Sequence, residues 1–148
     1  MKDLLLALHL LFAIFAIGPL VHAASTAGRG VRRGDAGATA ASARMLRIYA
    51  LVSALVIIAG FGLMSQKRSD GRKLGEFGDV WIWLSLLLWA AAVAIVMLVL
   101  VPTLHRVTAA IGRQESVVRE TAKVAAGGGI VAVLFTVVVF LMAYRPGG

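Results

Sequence analysis

The side chain with the most chemical potential in this 148-residue chain is His9. It is the only ionisable group deep inside an apolar run, and an imidazole in that position can ligate haem iron or copper, or carry a proton. Because polar groups are costly in a bilayer, such a residue is by default a functional candidate. A neutral histidine that only hydrogen-bonds a neighbouring helix is an equally good interpretation.

The motif Pro-x-x-His occurs twice, as Pro19/His22 and as Pro102/His105, where apolar sequence gives way to basic sequence. Each proline lacks an N–H donor, which predicts a kink in its helix. His22 and His105 are expected on the same membrane side, where two imidazoles would suit only an axially coordinated haem. More often, a histidine at a helix C-terminus meets the last carbonyls and the helix dipole. The repetition of the motif also suggests that a helix hairpin was duplicated.

Composition indicates that these motifs lie in a membrane protein. Apolar residues make up 60% of the chain and the mean hydropathy is +0.91, more than a water-soluble fold of this size can bury. Lipid offers the backbone no hydrogen-bond partner, so spanning segments must be helical. The sequence predicts an all-α, single-domain bundle of four transmembrane helices at about residues 4–22, 46–64, 80–104 and 124–144.

Several function classes lack the residues that they need. The chain has no cysteine and therefore no disulfide or thiolate metal site. It has no phosphate-binding loop, zinc-protease motif or nucleophile elbow, so we expect no enzymatic activity. No carboxylate lies at mid-membrane depth, which disfavours a transporter. The net charge of +8 is carried by short loops, where it fixes topology and meets lipid headgroups rather than nucleic acid.

The distribution of Lys and Arg predicts the topology. The first and third loops with their flanks carry nine of these residues and the opposite side six, which favours both loops in the cytoplasm and both termini outside a bacterial inner membrane. The first run is too long for a typical signal peptide, so an uncleaved helix is expected. Trp81, Trp83 and Tyr144 are expected to anchor the opposite interface as an aromatic belt.

The loops and small residues allow finer predictions. Glycines in the first loop indicate a flexible turn, after which residues 38–45 extend the second helix. Glu115 and Arg119 are spaced to pair on a helical face in the third loop. Small residues that let helix backbones approach are Ala50 and Ala54, Ala90 and Ala94, and Gly127 to Gly129.

The first half of the chain resembles a family of uncharacterised bacterial four-helix integral membrane proteins that is distantly similar to the copper-resistance-D type. The resemblance is carried by LHLLFAIFAIGPLV at 8–21 and GVRRGDAGATAASARMLRIYALVSALVIIAGFGLM at 30–64. His9 and Gly18 match the family's early His and later Gly, and Gly62-Leu63 matches the end of its second helix, whereas Pro19 departs from it. The resemblance implies a four-helix bundle with metal or haem handling. Small proteins of this kind also occur as accessory subunits of actinobacterial respiratory assemblies.

The expected function is therefore that of a non-enzymatic accessory or assembly subunit, without a cofactor, in a larger membrane complex, for which a respiratory assembly is one candidate. The alternative is a membrane protein that binds haem or copper through His9, together with His22 or His105. A small transporter comes third.

Overall fold

The computed structural model describes residues 2–67, 71 and 76–145. It is 88% helical and contains no strand in this part of the chain. Four helices are long and apolar enough to cross a membrane: α1 (Asp3–Arg32), α2 (Ala36–Met64), α3 (Val80–Gly112) and α4 (Val118–Tyr144). The prediction of an all-α four-helix bundle is confirmed.

The connection between α1 and α2 is much shorter than the sequence predicts. The prediction of a long flexible turn at these glycines is wrong. α1 continues to Arg32, and only three residues separate it from α2. Gly34 takes a left-handed conformation with φ of 61°, and the Asp35 carboxylate caps α2 by accepting a hydrogen bond from Ala38 N at 2.9 Å. The predicted extension of the second helix is confirmed, since α2 starts at Ala36.

The connection between α3 and α4 also corrects a prediction. Glu115 does not pair with Arg119, because it lies in a turn before α4 begins, next to Gln114 with φ of 59°. It pairs instead with Arg113, whose Nε lies 2.7 Å from Glu115 Oε1. The second loop is described only in part, and Arg68, Arg72 and Lys73 of the charge count lie outside the described residues.

The helices form an antiparallel ring in which each contacts its two neighbours and α1 closes on α4. We call the end with the two short turns the turn end, and the end near Asp3 and Tyr144 the terminal end. In the turn-end half, α1 packs against both α2 and α4, and α2 packs against α3. In the terminal half, α1 packs mainly on α2 and α3 mainly on α4. The bundle is therefore closed at one end and divided into two pairs at the other.

The core lies mostly in the turn-end half. Its largest fully buried side chains include Leu20, Leu46, Leu104 and Phe135. Gly128 lets α4 approach α1 so closely that a Cβ at this position would collide with the Ala24 carbonyl. The absence of side chains at such crossings permits the tight packing on which helix association in lipid depends.

Two short π-helical segments interrupt α1 and α3, at Ala13–Ile17 and Val96–Leu100. Each ends two residues before a proline, Pro19 or Pro102. A π-helical segment therefore precedes both Pro-x-x-His motifs. A π turn and a proline both disturb the backbone hydrogen-bond ladder, and both are common causes of bending. The predicted kinks remain a prediction. Both segments lie near the level where the closed and divided halves meet.

Candidate functional site

The divided half contains a cavity between the two helix pairs. Its volume is about 330 Å³, and residues from all four helices line it. The walls are mostly apolar, with a few polar groups from His9, Trp81, Trp89 and Arg145. An apolar cavity with a small number of convergent polar groups is the usual form of a ligand site.

His9 is half-buried in this cavity and is held by α2. Its Nδ1 lies 3.1 Å from the carbonyl oxygen of Val56, a bond that requires the ring hydrogen on Nδ1. Gly60 leaves space for the ring, since a Cβ there would lie 3.4 Å from His9 Cε1. In the neutral ring Nε2 is then the unprotonated nitrogen, and it has no hydrogen-bond partner among the described residues. One nitrogen thus joins two helices, and the other is open to a ligand.

Two methionines line the same cavity, and the sequence analysis missed them. Met64 ends α2 and Met142 lies in the last turn of α4. The signal was available in the topology, because the start of α1 and the ends of α2 and α4 must meet at one membrane face. The described residues contain no group of three His, Cys, Asp or Glu that could hold a metal ion. Met64 and Met142 bring two thioether sulfurs, a soft type of metal ligand, to the lining of the cavity that contains His9.

The aromatic residues at the terminal end divide into two groups. Trp83 and Tyr144 are 57% and 74% exposed, as an interfacial belt requires. Trp81 instead lines the cavity, where its Nε1 is buried without a hydrogen-bond partner among the described residues. The Arg145 guanidinium lies 5.8 Å from the centre of the Trp81 ring. Trp81 and Arg145 therefore place a buried, unpaired N–H donor and a cation at the terminal end of this cavity.

The other two histidines lie far from His9 in the fold. His22 is exposed on α1, and His105 is exposed on α3, diagonally across the ring. His105 lines a separate groove between α2 and α3 together with Arg44 and Arg47, and His22 does not line this groove. The structure does not bring the two Pro-x-x-His histidines into one cavity.

Comparisons with known proteins gave no family. A scan against protein-family models, a search of curated proteins and a search of solved structures each found no match. The resemblance to the four-helix family therefore stays a prediction, and the fold and the two clefts carry the functional argument.

Proposed function

We propose that this chain is a non-enzymatic multi-pass membrane protein that binds copper in the His9 cavity. The observation that carries the proposal is the orientation of the His9 ring. Its Nδ1–H is used by the Val56 carbonyl, which fixes the tautomer and the ring angle in the way that metal-binding histidines are fixed. Nε2 then remains as a ligand atom inside an apolar, half-buried site.

The donor set favours copper over harder metals. His9, Met64 and Met142 supply an imidazole and two thioethers, and thioethers select the soft cuprous ion. The bound ion would supply reversible one-electron chemistry or simply be stored. The protein's own contribution is to orient the imidazole and to exclude water with apolar walls.

Haem is the alternative ligand of the same nitrogen. Aromatic walls from Phe61 and Trp89 suit a porphyrin face, and the Arg145 guanidinium suits a propionate. The volume of about 330 Å³ lies at the low end of the range for small-molecule sites. A porphyrin would need the two helix pairs to separate further, which places copper first.

Metal analysis and an optical spectrum of the purified full-length protein, produced in cells supplemented with copper and haem precursors, test this function. We expect about one copper per chain, lost in His9→Gln and strongly reduced in Met64→Leu/Met142→Leu. His22→Gln is the matched control and should keep its metal. A Soret band that depends on His9 would identify haem instead, and a colourless, metal-free wild type would exclude both ligands.

A role as an accessory subunit is the second candidate, and an outward face of α3 favours it. Leu87 and Leu98 are 67% and 76% exposed, and between them Ala90, Ala91 and Ala94 are exposed too. The other small residues predicted to make helix contacts are not available to a partner, since Ala50 and Gly128 are packed inside the bundle. A face of alanines between leucines lets a partner helix approach closely.

Purification in mild detergent followed by mass spectrometry tests the accessory role. We expect one larger membrane complex, such as a respiratory assembly, to co-purify with the wild type and to be lost in Ala90→Leu/Ala94→Leu. Val133→Leu/Val137→Leu changes an exposed face of α4 and serves as the control. A lone monomer or homo-oligomer would count against this role.

A further inference from the structure

The groove between α2 and α3 has no part in the copper site, and its lining is unlike that of the His9 cavity. It lies in the turn-end half, has a volume of about 640 Å³, and is open to the surroundings. Arg44, Arg47 and His105 line it, and no acidic residue does. Neither arginine forms an ion pair with a carboxylate in the described part of the chain.

The three basic groups lie within about five residues, or ~8 Å, of one another along the helix axes. Arg44 and Arg47 are three residues apart on α2 and therefore share a helix face. The register of α2 against α3 is fixed by a hydrogen bond of 2.8 Å between the hydroxyls of Thr39 and Thr108. In an antiparallel pair this register places His105 about two residues, or ~3 Å, from the level of Arg44 and about five residues, or ~8 Å, from that of Arg47. The groove thus holds a cluster of two cationic arginines from α2 and one histidine from α3.

The depth of this cluster coincides with the edge of the apolar span. The second apolar run begins at Ile48, directly after Arg47. Ile48 and Leu51 continue the groove toward the membrane interior, and both are exposed. The groove is therefore cationic at the edge of the apolar span and apolar toward the membrane interior. This order matches the two chemical parts of an anionic lipid, a phosphate and its acyl chains.

We propose that this groove is a binding site for one anionic glycerophospholipid. The Arg44 and Arg47 guanidinium groups bind the phosphate, and an N–H of His105 donates a further hydrogen bond from the facing helix. An acyl chain lies along Ile48 and Leu51. Charge complementarity and the amphipathic order of the groove select the lipid over a free anion, because a water-soluble phosphate makes no use of the apolar part.

Native mass spectrometry of the full-length protein, with equal amounts of phosphatidylglycerol and phosphatidylcholine, tests this site. We expect the wild type to retain phosphatidylglycerol preferentially and Arg44→Gln/Arg47→Gln to lose about 30-fold of that preference. Arg119→Gln/Lys123→Gln is the matched control, since it removes two positive charges from exposed positions of α4 outside the groove. It should retain the wild-type ratio.

A second variant and a competitor complete the experiment. His105→Gln leaves both arginines in place and should weaken the preference by a smaller factor than the arginine double variant. Equal losses in the groove variant and the control variant would show that only general surface charge attracts the lipid, and would overturn the proposal. Displacement of phosphatidylglycerol by an equal concentration of glycerol phosphate would overturn it as well, because the site would then recognise a free phosphate. A wild-type protein that retains phosphatidylglycerol and phosphatidylcholine equally would also overturn the proposal.

Discussion

The two halves of the bundle contain the same helices but differ in how these pack. In the turn-end half small residues bring backbones together, as Gly128 does against the Ala24 carbonyl, and the largest buried side chains fill the remaining space. In the terminal half the helices diverge into two pairs around a cavity of about 330 Å³. The comparison indicates that close packing is concentrated at one end of the helices and open space between them at the other.

Packing, not the connections, distinguishes the closed half. The two short turns, each with a residue at positive φ, join α1 to α2 and α3 to α4, which are the two helices of one pair in each case. The pairs are held together in the turn-end half by the contacts of α1 with α4 and of α2 with α3, whereas in the terminal half each helix packs mainly within its own pair. The π-helical segments beside Pro19 and Pro102 lie near the boundary between the closed half and the divided half.

Alanine at two glycines gives the largest expected contrast between the halves. Gly128→Ala forces the α1 and α4 backbones apart and should cost about 3 kcal/mol of unfolding free energy. Gly60→Ala meets only the edge of the His9 ring, at 3.4 Å, and should be close to neutral. Thermal unfolding in detergent measures both, and equal costs would break the comparison.

Leucine truncation on α3 sharpens the same comparison. Leu104 is fully buried in the turn-end half, so Leu104→Ala should leave a cavity and cost about 2 kcal/mol. Leu86 already lines the cavity of the terminal half, and Leu86→Ala should cost under about 1 kcal/mol. Unfolding in detergent is again the measurement. A larger loss for Leu86→Ala would mean that the cavity is a packed region.

The polar contact of the closed half should be weak despite its burial. A double-mutant cycle with Thr39→Val and Thr108→Val tests the hydroxyl pair that joins α2 and α3. We expect a coupling of about 0.6 kcal/mol, as for other hydrogen bonds between membrane helices. A coupling above about 2 kcal/mol would show that hydrogen bonding, not close packing, holds this half together.

The smallest effect is expected at the turn between α3 and α4. The Arg113 guanidinium donates to Glu115 and lowers the pKa of that carboxyl below its ordinary value. Arg113→Gln should therefore raise the Glu115 pKa, which an NMR titration of the side chain measures. A lowered pKa in the folded state adds stability above the ordinary pKa, and this is lost as the pH falls through the folded value. Because both groups are fully exposed, unfolding should change little with pH, and a large change would make this turn part of the packed core.

The class of fold was predictable because length and hydrophobicity decide it in lipid. The apolar runs predict four helices, and a helix is the form in which each can satisfy its own backbone. Helix ends were less predictable, since Gly28 and Gly30 look like turn residues in sequence. In the structure they serve close contacts with Ala125 and Ala38 inside the bundle. Local composition cannot distinguish a glycine that turns the chain from one that packs against a helix.

The candidate sites divide in a similar way. The sequence by itself determined that His9 is exceptional, because an imidazole in an apolar run is visible without coordinates. Only the tertiary structure decided which nitrogen is used, that Met64 and Met142 share its cavity, and that His105 belongs with Arg44 and Arg47 rather than with His22. The physical reason is that a sequence sets the depth of each residue in the membrane, whereas helix order and rotation set which residues meet at that depth.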